Sequence, residues 1–339
     1  MRIAVTGSIA TDHLMVFPGS FANQFLAGSL DKVSLSFLVD RLDIRRGGVA
    51  ANIALGLGRL GGHPLLVGAV GTDFDSYRDF LEAHGVNTRW VHVSTTKHTA
   101  RFLCTTDDYQ NQIASFYPGA MTEARRIALR PIAEGAGGLD LVLISPNDPE
   151  AMLRHTDECR EHGYPFAADP SQQLATLGRA EIRSLVDGAM YLFTNEYESE
   201  LLLTTARWTR EQVLDRVGTW ITTLGENGVR IESAGAAPAT VGVVPDRGVV
   251  DPTGVGDGFR AGFLSGLAAG LSQVRSAQVG CTVATLVLEA RGPQEYELDP
   301  DTFQKRVDEA YGLQAAREVE PIVQSIRQAN EDHHVRGYD

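Results

Sequence analysis

The stretch Asp251 to Phe263 reads DPTGVGDGFRAGF, and its residue types suit the handling of an anion. Gly254 and Gly256 stand two apart, just before a segment with helical apolar spacing at Phe259, Phe263, Leu264 and Leu267. Glycines let the backbone turn tightly and leave successive N–H groups uncovered. The start of a helix adds unpaired N–H groups and the positive end of a dipole. Asp257 is out of place there, because a carboxylate repels a phosphate unless it takes a proton from the group that attacks it. An anion hole beside a carboxylate base is the minimum apparatus for moving a phosphoryl group onto a hydroxyl. The same residues also fit a plain tight turn with Asp257 as a dipole partner. The rest of the chain has to decide.

From residue 139 the pattern alternates between short apolar runs and helical segments. Leu141 to Ser145, Phe166 to Pro170, Tyr191 to Asn195 and Trp220 to Leu224 read as strands, separated by helices such as Ala151 to His162 and Glu181 to Asp187. This is the signature of a parallel α/β sheet, which binds ligands at the carboxyl ends of its strands. Those ends carry Asp169-Pro170-Ser171-Gln172-Gln173, then Asn195-Glu196-Tyr197-Glu198, then the glycine-bearing turn Thr223-Leu224-Gly225-Glu226-Asn227-Gly228. Arg230 to Val244 reads as a further strand or hairpin, and Ala277 to Ala290 as an apolar core helix.

The first third is less regular. Ile3 to Val5 opens into Gly7-Ser8-Ile9-Ala10-Thr11-Asp12, a strand end that either presents a carboxylate or caps a turn. It lacks G-x-G-x-x-G, which disfavours a dinucleotide site. Residues 13 to 46 read as irregular, with alternating stretches such as Val33 to Phe37. Gly47-Gly48 then leads into a helix containing Asn52, either as a hinge or as a tight entry, and Gly61-Gly62 ends that helix. Thr99 to Thr106 and Gln112 to Tyr117 form a hairpin that sets Phe102 opposite Phe116. The two rings either clamp a flat ligand or pack on the body.

Composition narrows the partners. The chain has 339 residues and a net charge of −13, so a surface this acidic disfavours nucleic acid and anionic membranes. No apolar run is long enough to cross a membrane, and the N-terminus has no signal-peptide core. Cys104, Cys159 and Cys281 show no metal or redox spacing and suggest reduced thiols in a cytoplasmic protein.

Taken in order, these residues resemble the ribokinase (PfkB) family of carbohydrate and nucleoside kinases, from Gly7 to about Tyr311. The family's D-T-x-G-A-G-D-x-F stands here as Asp251 to Phe259, with Pro252 and Val255 as small departures. Its Gly-Gly signature is matched by Gly47-Gly48 with Asn52, and its N-x-x-E by Asn195 and Glu198. Within the family, GSIATDHLM, RRGGVAAN, IASFYPGAM, FAADPSQQLA and DPTGVGD look most like actinobacterial adenosine kinases.

The resemblance implies a mostly parallel central sheet flanked by helices, with a small β-sheet lid. The kinase domain would span 1–312, with lid segments at about 13–46 and 96–120, and a C-terminal helix end and polar tail at 313–339. It implies transfer of the γ-phosphoryl group of ATP, with Mg²⁺, to the 5′-hydroxyl of adenosine, a purine-salvage reaction. Asp257 would be the base, its pKa depressed by the helix dipole, and the backbone of Gly254, Val255 and Gly256 the anion hole. Asp12 and Asn52 would hold the ribose hydroxyls beside Gly48, and Phe102 and Phe116 would stack on adenine. Ser8, Ser36, Gln172 and Gln173 would complete the acceptor contacts. Asn195, Thr223, Leu224, Gly225, Glu226, Asn227, Gly228 and Gly256 would hold ATP, and Glu198 would reach Mg²⁺ through water. A K⁺ near the Asp251 loop and a homodimer joined through the lids are also implied. Two alternatives stay open: a kinase of another nucleoside or of a sugar such as ribose or fructose, and a catalytically silent nucleotide-binding protein.

Overall fold

Four of the apolar runs, Ile3–Thr6, Leu65–Val67, Leu141–Ile144 and Phe166–Ala168, are buried at every residue. Strands without a polar face belong in a sheet covered on both sides. The computed structural model describes residues 1–24 and 36–336; most of the alternating stretch Val33 to Phe37 lies outside the described residues. In chain order, β1 (Ile3–Thr6), β2 (Ala10–Phe17) and β3 (Arg41–Gly47) lead into helix α1 (Val49–Arg59). Then come β4 (Leu65–Val67), β5 (Ala69–Val70), α2 (Asp75–Ala83), β6 (His92–Val93), β7 (Ala100–Asp107) and β8 (Gln112–Tyr117). The alternating region supplies α3 (Leu129–Ala136), β9 (Leu141–Ile144), α4 (Pro149–His162), β10 (Phe166–Ala168), α5 (Arg179–Val186) and β11 (Tyr191–Asn195). It continues through α6 (Glu196–Ala206), α7 (Arg210–Leu214) and β12 (Thr219–Thr223) to β13 (Val229–Glu232) and β14 (Ala239–Val241). Helices α8 (Val255–Ala268), α9 (Gln273–Leu288), α10 (Pro300–Tyr311), α11 (Leu313–Glu318) and α12 (Glu320–Arg336) complete the described chain.

The main sheet has the order β14-β13-β12-β11-β10-β9-β1-β4. Its strands from β4 to β12 run parallel, and β13 and β14 add antiparallel pairs at one edge. The register Asn195↔Thr223 aligns two polar strand ends at the carboxyl edge of the sheet. One core packs Ile53, Leu57, Phe259 and Phe263 against one face, and another packs Met152, Ile182 and Leu202 against the other. Helices α8 and α9 approach closely because Gly258, Gly262 and Gly266 form a stripe four residues apart. A Cβ on Gly262 would stand 2.7 Å from the Gly280 Cα.

Two sequence expectations are corrected. Residues 13 to 46 are not irregular throughout: β2 and β3 pair antiparallel, and β2 pairs β7 in parallel, giving a second sheet ordered β3-β2-β7-β8. Asp12 is thus the third residue of a small-sheet strand, not the end of a main-sheet strand. The expected polar tail is also structured. Ala315, Ala316, Val319, Ile322, Val323 and Ile326 are buried against Leu60, Val283 and Phe303. Their spacing is helical, but the polar residues between them mask it over a short window.

Candidate active site

Gly254 begins α8 at φ 79°, where a Cβ would lie 2.3 Å from Pro293 Cβ, so the position admits only glycine. Asp251 braces the loop before it: its Oδ1 accepts from Thr253 N at 2.9 Å, and its Oδ2 from Arg45 Nη1 at 3.2 Å. The N–H groups of Gly256 and Asp257 lie in the first turn of α8, where the helix has no carbonyl for them. One turn on, the buried Arg260 donates from Nη1 to Gly256 O at 2.9 Å and from Nη2 to Asp169 Oδ1 at 2.6 Å. It fastens the loop to the end of β10.

Asp257 is partly buried, and Asn52 Nδ2 donates to its Oδ2 at 2.8 Å. Burial pushes its pKa up to about 6, while Arg260 and the Asn52 bond pull the other way. The direction is opposite to the expected depression, and burial is its largest cause. Asp12 is likewise raised to about 6 by burial, with Arg45 opposing and Asp251 assisting.

The small sheet carries a row of four side chains. Its register sets Asp12 opposite Arg45 and Phe102, and Phe102 opposite Phe116. Direct cross-strand partners share a face, so a cation, a carboxylate and two aromatic rings stand side by side. The hairpin pairing read from sequence is therefore present. At the root of this sheet Gly48 has φ 95°, and a Cβ there would stand 2.6 Å from Ser8 O. Ser8 Oγ accepts from Val49 N at 3.0 Å and so closes the N-terminus of α1.

At the carboxyl edge, Asn195 and Glu198 form a reciprocal capping box: Asn195 N donates to Glu198 Oε2, and Glu198 N to Asn195 Oδ1, each at 2.7 Å. Ser171, held at φ 43°, donates from Oγ to Glu198 Oε1 at 3.0 Å. Thr223 lies beside Asn195, and Leu224 leads into the exposed turn Gly225, Glu226 and Asn227, closed by Leu224 N to Gly228 O at 2.7 Å. Among the described residues no group of three or more His, Cys, Asp or Glu side chains is arranged to hold a metal ion. Each Glu198 oxygen thus accepts one hydrogen bond.

Three predicted residues stand apart from these contacts. Gln173 is committed to Asn147 O and Thr176 Oγ1, each at 2.8 Å, and Gln172 is exposed. Ser36 is exposed beside Phe37, which packs on Phe17 and Phe21 at the far end of β2. Asp12 is five residues back along that strand, roughly 17 Å. Sequence reasoning missed Tyr77, Gln294, Arg260 and Asn147, whose buried Nδ2 has no protein partner. A charged Arg260 inside an apolar helix face was the one available signal. A cavity of about 600 Å³ at the opposite end of α1, beside Arg59 and His84, contains none of these groups.

Comparisons with known proteins agree with this geometry. The family model for pfkB family carbohydrate kinases matches residues 10–299. A nucleoside kinase of Methanocaldococcus jannaschii is 30% identical over 253 residues, covering 73% of this chain and 80% of its own. The structure of Burkholderia thailandensis nucleoside kinase in complex with inosine superposes with a TM-score of 0.79 at 32% identity, covering 92% of this chain and 99% of that one. The same enzyme in complex with ADP and inosine gives 0.78. With the glycine-framed loop before Asp257, the parallel sheet and the small sheet all in place, the chain belongs to the pfkB family of carbohydrate kinases, with the ribokinase-like fold.

Proposed function

We propose that this protein transfers the γ-phosphoryl group of ATP to the 5′-hydroxyl of a purine nucleoside, with adenosine as the first acceptor to test. The observation that carries this reading is the row Asp12–Phe102–Phe116. A carboxylate suits ribose hydroxyls and two adjacent rings suit a purine face; a free sugar needs no rings. Asn52 and Gly48 would flank the ribose, and Ser8 would support them through α1. Gln172, Gln173 and Ser36 belong to this reading as outer contacts that would have to turn or move inward.

Asp257 would take the hydroxyl proton on Oδ1, since Oδ2 already accepts from Asn52. With its pKa near 6 the carboxylate is ionised at neutral pH yet is more basic than a free aspartate. Backbone N–H groups from Gly254 to Gly256 would neutralise charge on the transferring group. Asn195, Thr223 and the Leu224 to Gly228 turn would seat ATP. Mg²⁺ would arrive with the triphosphate and offset its charge, and Glu198 would meet it through water. The small sheet would serve as a lid that excludes water.

Inosine is the second acceptor to weigh, because the Burkholderia relative is a nucleoside kinase solved with it. Homodimer formation through the lid is supported by Leu42, Ile44 and Ile113, which are exposed on the face opposite Asp12. The deciding assay is ADP release with ATP–Mg²⁺ and adenosine, inosine, guanosine, ribose or fructose. Adenosine-dominant turnover is expected; turnover with sugars alone would discard the purine reading.

A further inference from the structure

Four residues beyond Asp257 form one chain of hydrogen bonds whose polarity is fixed at every link. Gly47 O can only accept, so the Tyr77 hydroxyl that reaches it over 2.9 Å donates. With its proton committed, that hydroxyl accepts from Gln294 Nε2 at 2.5 Å. The other Nε2 proton goes to Asn52 Oδ1 at 2.7 Å. Asn52 must then turn its amine to Asp257 Oδ2, as observed at 2.8 Å. A flipped Asn52 amide would set amine against amine at Gln294 and oxygen against carboxylate at Asp257. Tyr77, Gln294 and Asn52 are 3%, 1% and 7% exposed, so water is poorly placed to replace a lost link. The chain begins at the last residue of β3, immediately before the left-handed Gly48 where the small sheet joins α1.

We propose that Tyr77 and Gln294 are positioning residues that orient Asp257 through Asn52, and that they tie this orientation to the placement of β3. The inference rests on the reading of Asp257 as the base. A displacement of β3 that draws Gly47 O from Tyr77 removes the fixed acceptor at the head of the chain. The hydroxyl can then rotate, Gln294 loses its constraint, and the Asn52 amide is no longer held in one sense. Tyr77 and Gln294 are buried behind Asn52, so their removal should act on turnover rather than on nucleotide affinity.

The test uses Tyr77→Phe, which deletes only the hydroxyl, and Gln294→Met, each alone and combined with Asn52→Ala, assayed with ATP–Mg²⁺ and adenosine or inosine. Each single variant is expected to lower kcat by roughly tenfold or more, in line with the cost of small misplacements. The KM for ATP should stay within about twofold. In the Asn52→Ala background neither substitution should cost anything further, because the link it acts through is gone. Losses in kcat that add in full would mean that Tyr77 and Gln294 act independently of Asn52, and would overturn the proposal. So would a Tyr77→Phe enzyme with wild-type kcat, a result that needs no assumption about folding. Asp257→Asn separates the two readings: if it keeps turnover, the base assignment falls and takes this inference with it. If it loses turnover while Tyr77→Phe does not, the positioning chain alone falls.

Discussion

Asn52 Nδ2 donates to Asp257 Oδ2 across 2.8 Å although the two residues are 205 positions apart. Asn52 follows the Gly47-Gly48 pair into α1, and Asp257 follows Gly254 and Gly256 into α8. The first turns of two helices, each preceded by glycine, therefore meet; Ser8 takes up the Val49 and Ala50 N–H groups of α1, whereas α8 leaves those of Gly256 and Asp257 without a helical partner. In the proposed reaction such a point would stabilise phosphate charge, and the amide would leave Asp257 Oδ1 for an incoming hydroxyl.

Asp257→Asn should reduce turnover at least a hundredfold, the usual reach of a general base, with ATP affinity nearly unchanged. It should also raise the melting temperature near neutral pH. The folded-state pKa of about 6 lies above the ordinary 3.8, so the folded protein holds this proton more tightly than the unfolded chain. Stability thus falls as pH rises from about 4 through 6, and the amide escapes that loss. Melting curves of both proteins at about pH 4 and 7.5 check it: the gap should be present only at the higher pH.

For activity the direction is reversed. With Asp257 as the proposed base, protonation would disable it, so kcat/KM for the acceptor should decline below pH about 6. Asp12 is raised to the same region, so the acid limb should be steeper than one proton requires. In Asp12→Asn the limb should relax to single-proton slope, with a weaker acceptor KM; an unchanged steep limb would remove Asp12 from the site.

Phe102→Ala should raise the nucleoside KM by about tenfold, since stacking of a base on an aromatic ring is worth about 1–3 kcal/mol. The KM for ATP is expected to hold. An unchanged nucleoside KM would mean that the rings serve the sheet and not a ligand.

Arg260→Met should destabilise the fold by about 3–5 kcal/mol, because it strands the fully buried Asp169 carboxylate. The deficit should shrink in acid, where Asp169 can take a proton. Denaturant titration at two pH values reads this out, and equal deficits at both would count against the ion pair.

Ile44→Glu, on the face opposite Asp12, places charge within the exposed apolar strip that includes Leu42 and Ile113. Light scattering should show a dimer for the wild type and a monomer for the variant. A monomeric wild type would retire the lid-mediated dimer.

Local order along the chain was enough to determine the parallel α/β layer, the glycine-framed loop before Asp257, the N-x-x-E pair and the Phe102/Phe116 hairpin. Each rests on interactions a few residues apart: period-two or period-3.6 burial, helix entry, or a short hairpin turn. Strands β2 and β3 were not legible, because β2 finds its parallel partner β7 some ninety residues later and a half-exposed sheet leaves a weak apolar pattern. The elevated pKa of Asp257 was not legible either. The dipole expected to lower it is local to α8, whereas the burial that raises it comes from elements assembled around it. Gln294 stands in no motif at all; only the tertiary structure brings it between Tyr77 and Asn52, 217 and 242 positions away, and gives one amide the task of orienting another.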